Sequence, residues 1–316
     1  MMKLPFSLTL NLVFRLLFPG FLMAMGFLPI LQFVRTSIPL EYSLTILTIL
    51  MGGLFLFFDM HIYMLFEGRR YWPKMVFNLF CGFEKKRLMK LDKVTNPRYS
   101  QKKERIEAYY DIKNFPIDDD GKFTVNFPTR LGNLMAAYED YPARIYGMDP
   151  IFYWPRIWLT LDKDVRDEIN SQQALADSTI YSSTALFCSS LLCLLYTGIS
   201  FFHFSWLNNF PEFYIFLSLS LLCALFGYLI YRLSLYIHSQ FGDTFKSVFD
   251  LKHREINFSG IIDKISHIID VPNLNEINQK EQNKYIWRYL QYNLIKVGNA
   301  PSFTPEIIKE IKNRSR

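Results

Sequence analysis

The sequence predicts an all-α integral membrane protein. Four transmembrane helices form two hairpins, with a helical cytoplasmic insertion between them and a helical C-terminal tail. Three observations predict it. Half of the 316 residues are hydrophobic and 17% are aromatic, with mean hydropathy +0.08 despite 20% charge. The apolar residues fall in long blocks rather than evenly along the chain. Basic residues gather beside the ends of those blocks.

The first block runs from Val13 to Val34. Its single charge, Arg15, sits near the start, where a long side chain snorkels to the surface. Pro19 and Pro29 break or tilt this helix. The second block, Tyr42 to Phe66, is long enough to cross, since about 20 helical residues span a ~30 Å hydrocarbon core. Its adjacent Gly52 and Gly53 suit close helix contact. The third block runs from Ser183 to Phe204 and the fourth from Phe213 to Tyr236. The loop between these two is short and lacks lysine and arginine, which makes them a hairpin. The chain divides into residues 1–66, 67–178, 179–236 and 237–316.

Charge sets the topology. Arg69, Arg70, Lys74, Lys85, Lys86, Arg87, Lys90 and Lys93 follow the second block, and Arg232 and Lys246 flank the end of the fourth. The positive-inside rule therefore puts both termini and the insertion in the cytoplasm. The net charge of +6 fits an anionic lipid surface, and no nucleic-acid motif accompanies it. The expected partners are the bilayer with its anionic headgroups, a second copy of the chain, or another membrane protein. Cys81, Cys188, Cys193 and Cys223 form no CxxC pair and no metal-spaced series. They read as small buried residues, and no metal or cofactor is expected.

The insertion opens with RRYWPKMVFNLFCGFEKKRLMKLDK. Arg69, Arg70, Trp72, Lys74, Lys85, Lys86 and Arg87 make it an interfacial segment, with aromatics at headgroup depth and cations toward phosphate. A polar stretch follows, with DDDG as a turn and no calcium loop. TRLGNLMAAYEDY reads as a helix capped by Thr129. Beyond it, Pro142, Gly147, Pro150 and Pro155 predict repeated turns, a rigid aromatic loop lying against the bilayer. LDKDVRDEINSQQALADSTIYSS then leads as a helix, capped by Asp162, toward the third block. In the tail, FGDTFKSVFDLKHREI, IIDKISHIIDVP, NKYIWRYLQYNLI and TPEIIKEIKNRSR carry helical spacing, the last with Pro305 at its start.

RLGNLMAAYEDYPARIYGMDPIFYWPRIW and LDKDVRDEINSQQALADSTIY, with FGDTFKSVFDLKHREI and Trp287 in the tail, resemble a family of prokaryotic multi-pass membrane proteins. The resemblance covers about residues 60–290. It implies a multi-pass topology and a prokaryotic cytoplasmic membrane, and it brings no catalytic residues.

Two groups of residues carry candidate chemistry. Arg130, Glu139, Asp140, Arg144, Asp149 and Arg156 lie close in sequence. They read either as an ion-pair network tying the insertion together or as a lipid or ligand site. Asp59, His61, Glu67 and Asp177 are polar groups at membrane depth, where ionisable residues are costly and serve pairing or function. GxSxG, HExxH and GxxxxGK are all missing, so no catalytic residue is named. The reading that follows is a scaffold, sensor or regulator. The alternatives are a lipid-processing enzyme using Glu139 and Asp149 with Arg144 and Arg156, and an oligomeric channel or membrane-disrupting effector.

Overall fold

Three helices are long and apolar enough to cross a membrane: Leu40–Phe57, Lys163–Phe201 and Phe213–Lys252. They belong to a computed structural model that describes residues 12–34, 39–95, 101–118, 120–201, 213–256, 258, 262 and 278–295. Among these the chain is helical, and the only β-type pairing is an isolated bridge between Ile117 and Phe123.

A π-helical turn, Leu12–Leu17, leads into α1 (Phe18–Gly26) and α2 (Leu28–Val34). The proline-rich first block is thus broken, at Phe27, and its apolar helix Val13–Gly26 is shorter than the other candidates. The second block is also two helices, α3 (Leu40–Phe57) and α4 (Asp59–Glu67). Gly68, at φ +78°, ends α4. The next elements are α5 (Lys74–Thr95), α6 (Lys102–Ile112), α7 (Arg130–Tyr146) and α8 (Pro150–Thr160). Then come α9 (Lys163–Phe201), α10 (Phe213–Lys252) and α11 (Gln279–Ile295).

Helices α9 and α10 define the architecture. They have 39 and 40 residues. At ~1.5 Å per residue each is roughly 60 Å long, about twice a hydrocarbon core. Each is apolar toward one end and polar toward the other. The boundaries drawn at residues 178/179 and 236/237 therefore fall inside unbroken helices. On the apolar halves, Leu191, Leu195, Leu221, Leu225 and Leu229 are at least half exposed, as are Ile46, Ile49 and Leu50 of α3. So broad an apolar surface is stable only against lipid or another apolar partner.

Small residues let these helices approach. A Cβ at Gly20 would collide with the Thr48 carbonyl, and one at Gly52 with the Leu16 carbonyl. Gly52 therefore serves the close contact expected of it, whereas Gly53 faces open space. The serines of the third block face neighbouring helices: Ser183 donates to the Gly227 carbonyl (2.9 Å) and Ser190 meets the Ser220 hydroxyl (3.0 Å).

The polar ends carry a second core. Leu134, Tyr138, Met148, Tyr153, Ile157 and Ile169 pack on Phe245, Val248 and Phe249 of α10. Trp154 lies 4.7 Å from the Phe245 ring. The expected aromatic loop is here corrected to helix. Thr129 caps α7, accepting from Gly132 N–H at 3.0 Å, and Asp149 caps α8, accepting from Phe152 N–H at 2.9 Å. Pro150 follows at the first position of α8, where a missing N–H costs nothing. Pro142 and Pro155 lie inside their helices, each forfeiting one backbone bond that burial of this face outweighs. Only Gly147, at φ +67°, turns the chain. Helix α11 docks there: the Lys280 carbonyl occupies the space a Cβ would need, and Asn283 donates to the Tyr146 carbonyl (2.8 Å).

Helix α6 lies in the stretch read only as polar; its sequence signal is the Gln101 N–H to Glu104 carboxylate contact (3.3 Å) at its start. Asp118 and Lys122 close the expected DDDG turn. Of the tail segments, NKYIWRYLQYNLI lies in α11 and FGDTFKSVFDLK continues α10. IIDKISHIIDVP, apart from Ile262, and TPEIIKEIKNRSR lie outside the described residues.

Candidate functional site at the junction of the spans

Where the apolar halves of α9 and α10 give way to their polar halves, charged side chains turn inward. Asp177 of α9 is 4% exposed and His238 of α10 is 2% exposed. The Tyr63 hydroxyl of α4 sits between them, 2.6 Å from Asp177 Oδ1 and 3.1 Å from His238 Nε2. On its far side His238 Nδ1 lies 2.7 Å from the Ser234 carbonyl. Arg15 Nη2 lies 2.6 Å from Asp177 Oδ2, out of line for a hydrogen bond, and Arg15 Nε has no hydrogen-bond partner among the described residues. Next to them Tyr181 donates to Asp59 Oδ1 at 2.6 Å.

The expectation that Arg15 snorkels outward is thus corrected. A buried carboxylate needs a counter-charge, and the π-helical turn at Leu12–Leu17 carries Arg15 toward it. Every element at the junction contributes a group: Arg15, then Asp59 and Tyr63, then Asp177 and Tyr181, then His238.

A carbonyl only accepts, so His238 Nδ1 carries a hydrogen and donates to Ser234. Nε2 of neutral His238 is then an acceptor, and ionised Asp177 is an acceptor too. Tyr63 has one hydroxyl hydrogen for both. Both contacts are hydrogen bonds together only with one extra proton, on Asp177 or on His238 Nε2. With that proton the three side chains form one continuous hydrogen-bonded chain.

A second ion group adjoins it. Arg69 bridges two carboxylates, with Nε on Glu67 and Nη2 on Glu139. Burial pushes the Glu67 carboxyl up to about 7, against the pull of Arg69, and Glu139 adds to the rise. Glu67 is fixed by its backbone: its carbonyl accepts from Thr129 Oγ1 at 2.9 Å, and Gly132 has no Cβ because that carbonyl fills the space. One cavity of about 290 Å³ touches both groups, lined by Asp59, Tyr63, Glu67, Glu139, Asp177 and His238 among others.

The intramembrane set read from sequence thus largely converges: Asp59, Glu67 and Asp177 share one cavity. His61 does not join them; its ring stacks on Tyr71 at 6.2 Å. His203 lies outside the described residues. The cytoplasmic set disperses. Glu139 lines the cavity, while Arg130 lies 3.7 Å from Glu84. Asp140 is exposed on α7. Asp149 caps α8, Arg156 stands 3.6 Å over the Phe152 ring, and Arg144 lies 6.0 Å from the Tyr141 ring. Glu139, Asp149, Arg144 and Arg156 do not meet at one site. Of the interfacial set, Arg69 serves the junction, Trp72 donates to the Leu65 carbonyl (2.8 Å) and Arg87 pairs with Asp111 (3.1 Å). Arg70, Lys74, Lys85 and Lys86 are exposed. Sequence reading missed Tyr63, Tyr181 and His238, whose one signal is polar capacity within apolar helices.

Among the described residues no group of three or more His, Cys, Asp or Glu is arranged to hold a metal ion. No family model, curated protein or solved structure matches the chain.

Proposed function

We propose that this chain is a regulatory membrane protein of the sensor type. In this reading, proton occupancy at the junction sets how the polar ends of α9 and α10 are held. The single observation that carries it is the Asp177–Tyr63–His238 chain, whose two contacts need one proton more than Tyr63 supplies. Two features support a transmitting role. Helices α9 and α10 run unbroken from the apolar to the polar half, and α10 carries both His238 and the Phe245–Phe249 core. A change of packing at His238 is thus passed within about three turns to that core.

The proposal includes four spans, with the broken first and second blocks completing the bundle. In this reading both termini are cytoplasmic, which the basic residues after the second and fourth blocks support, and the membrane is the prokaryotic cytoplasmic membrane that the resemblance implies. The protein acts with a second copy or with another membrane protein.

The test uses the full chain in lipid vesicles. Trp154 and Trp158 pack in the distal core, so their emission reports its state. The emission shifts with pH in the natural protein, and Asp177→Asn and His238→Phe both abolish the shift. A shift that survives in both variants overturns the proposal. Protease cleavage of the 67–178 segment from outside intact spheroplasts overturns the topology.

A further inference from the structure

Two cavities outside the junction share Glu84, Arg130 and Arg232. One, about 430 Å³, is apolar, with Phe66, Trp72, Phe80, Phe187 and Tyr228 in its wall. The other, about 450 Å³, is the more polar of the two and is lined by Arg87, Lys113, Asn114 and Gln240 among others. The apolar cavity lies beside the apolar halves of α9 and α10: Gly227 leaves room for the Phe187 ring, 3.3 Å from where a Cβ would sit. Along α10, Tyr228 and Arg232 are one turn apart on one face, so the wall passes from aromatic to cationic within a single turn.

Charge at the shared edge is unbalanced. Glu84 serves two arginines, Arg87 at 3.4 Å and Arg130 at 3.7 Å. Arg232, exposed at the cavity mouth, makes no ion pair among the described residues. In the polar cavity the remaining charges are matched, Arg87 with Asp111 (3.1 Å) and Lys113 with Asp243 (2.6 Å). Arg130 is held below the usual guanidinium range, by burial first and then by repulsion from Arg87 and Arg232. The edge therefore carries an excess of positive charge facing both cavities.

We infer that the paired cavities bind one anionic glycerophospholipid, its phosphate between Arg130 and Arg232, an acyl chain in the apolar cavity and its headgroup in the polar one. The exposed Met75, Leu79 and Phe83 of α5, beside Trp72 and Phe80, would rest on the same leaflet and roof the site. Free phosphate satisfies the arginines but leaves the aromatic wall unfilled, so the occupant is the lipid.

The experiment titrates delipidated full-length protein in neutral detergent with phosphatidylglycerol, phosphatidylcholine or inorganic phosphate. Native mass spectrometry and the thermal midpoint provide the readouts. One phosphatidylglycerol is retained per chain and raises the midpoint, while the other two probes do neither. Arg130→Gln with Arg232→Gln weakens retention at least about tenfold, the loss of one charge-assisted contact. Arg130→Lys with Arg232→Lys keeps most of it, and Arg144→Gln, outside the site, leaves it unchanged. Equal retention of phosphatidylcholine, an equal effect of phosphate, or full retention by the glutamine pair overturns the inference. Should that pair not fold, chain-brominated phosphatidylglycerol tests the natural protein. It quenches Trp72, so Trp72→Phe loses that part of the quenching; quenching unchanged by Trp72→Phe overturns the inference as well.

Discussion

Glu67→Gln should flatten the stability of this protein against pH. The Glu67 side chain is buried against Arg69, with Glu139 on the other side of the guanidinium. Thr129 and Gly132 fix its backbone, Tyr138 closes the wall, and Asp59 and Asp177 share its cavity. Burial, opposed by Arg69 and helped by Glu139, raises its carboxyl from 4.5 to about 7. The folded-state value lies above the unfolded one, so between them the folded chain binds more protons. Stability is then fully present below about pH 4.5 and declines as pH rises through about 7. The gap is roughly 2.5 pH units, and at about 1.4 kcal/mol each the ceiling is about 3.5 kcal/mol. Glutamine keeps the shape and stays neutral, so the variant loses this slope. Thermal midpoints in neutral detergent at about pH 5 and about pH 8 measure it. The natural protein should lose more stability across that interval than the variant. Parallel losses in the two proteins would refute the reasoning.

Other substitutions read other parts of the structure. Asp177→Asn leaves the half-buried Arg15 without its counter-charge and should cost about 1–3 kcal/mol of stability; adding Arg15→Leu should recover most of that, as a double-mutant cycle of thermal stability would show. Gly132→Ala drives a methyl into the Glu67 carbonyl, so about 1–3 kcal/mol should be lost in the same assay, whereas Gly53→Ala, facing open space, should be silent. Phe249→Ala empties the centre of the distal core and should cost about 3–5 kcal/mol, with amide exchange rising in α7, α8 and the end of α10.

How far the sequence discloses the molecule depends on the kind of signal. Apolar runs disclose α3, α9 and α10, because lipid as a solvent demands length and apolarity, which composition records directly. Thr129 is legible as a cap because capping chemistry is local. The prolines mislead at 142 and 155: a lost backbone bond is local, while the burial of Tyr138, Tyr153 and Ile157 that outweighs it is tertiary. The same limit applies to the site. Asp59, Glu67 and Asp177 stand out as acids in an apolar setting, so they can be found one by one. Their meeting cannot, since Tyr63 and Asp177 are 114 residues apart and Tyr63 and His238 are 175 apart. Arg15 reads as a surface residue until its partner is known. The acids and arginines near residue 144 are close in sequence and read as either an ion-pair network or a ligand site, yet helical geometry sends Asp149 to a cap and Arg156 to a ring face.

If proton occupancy at Asp177, Tyr63 and His238 sets how the polar ends of α9 and α10 are held, as proposed, the distal core shifts against the apolar helices with pH. Spin labels at Ile46 and Ile151, both exposed, read the distance between the two directly in lipid. A distance distribution that changes with pH in the natural protein and is frozen in Asp177→Asn is the predicted result. A distribution that ignores pH, or moves equally in Asp177→Asn, contradicts it.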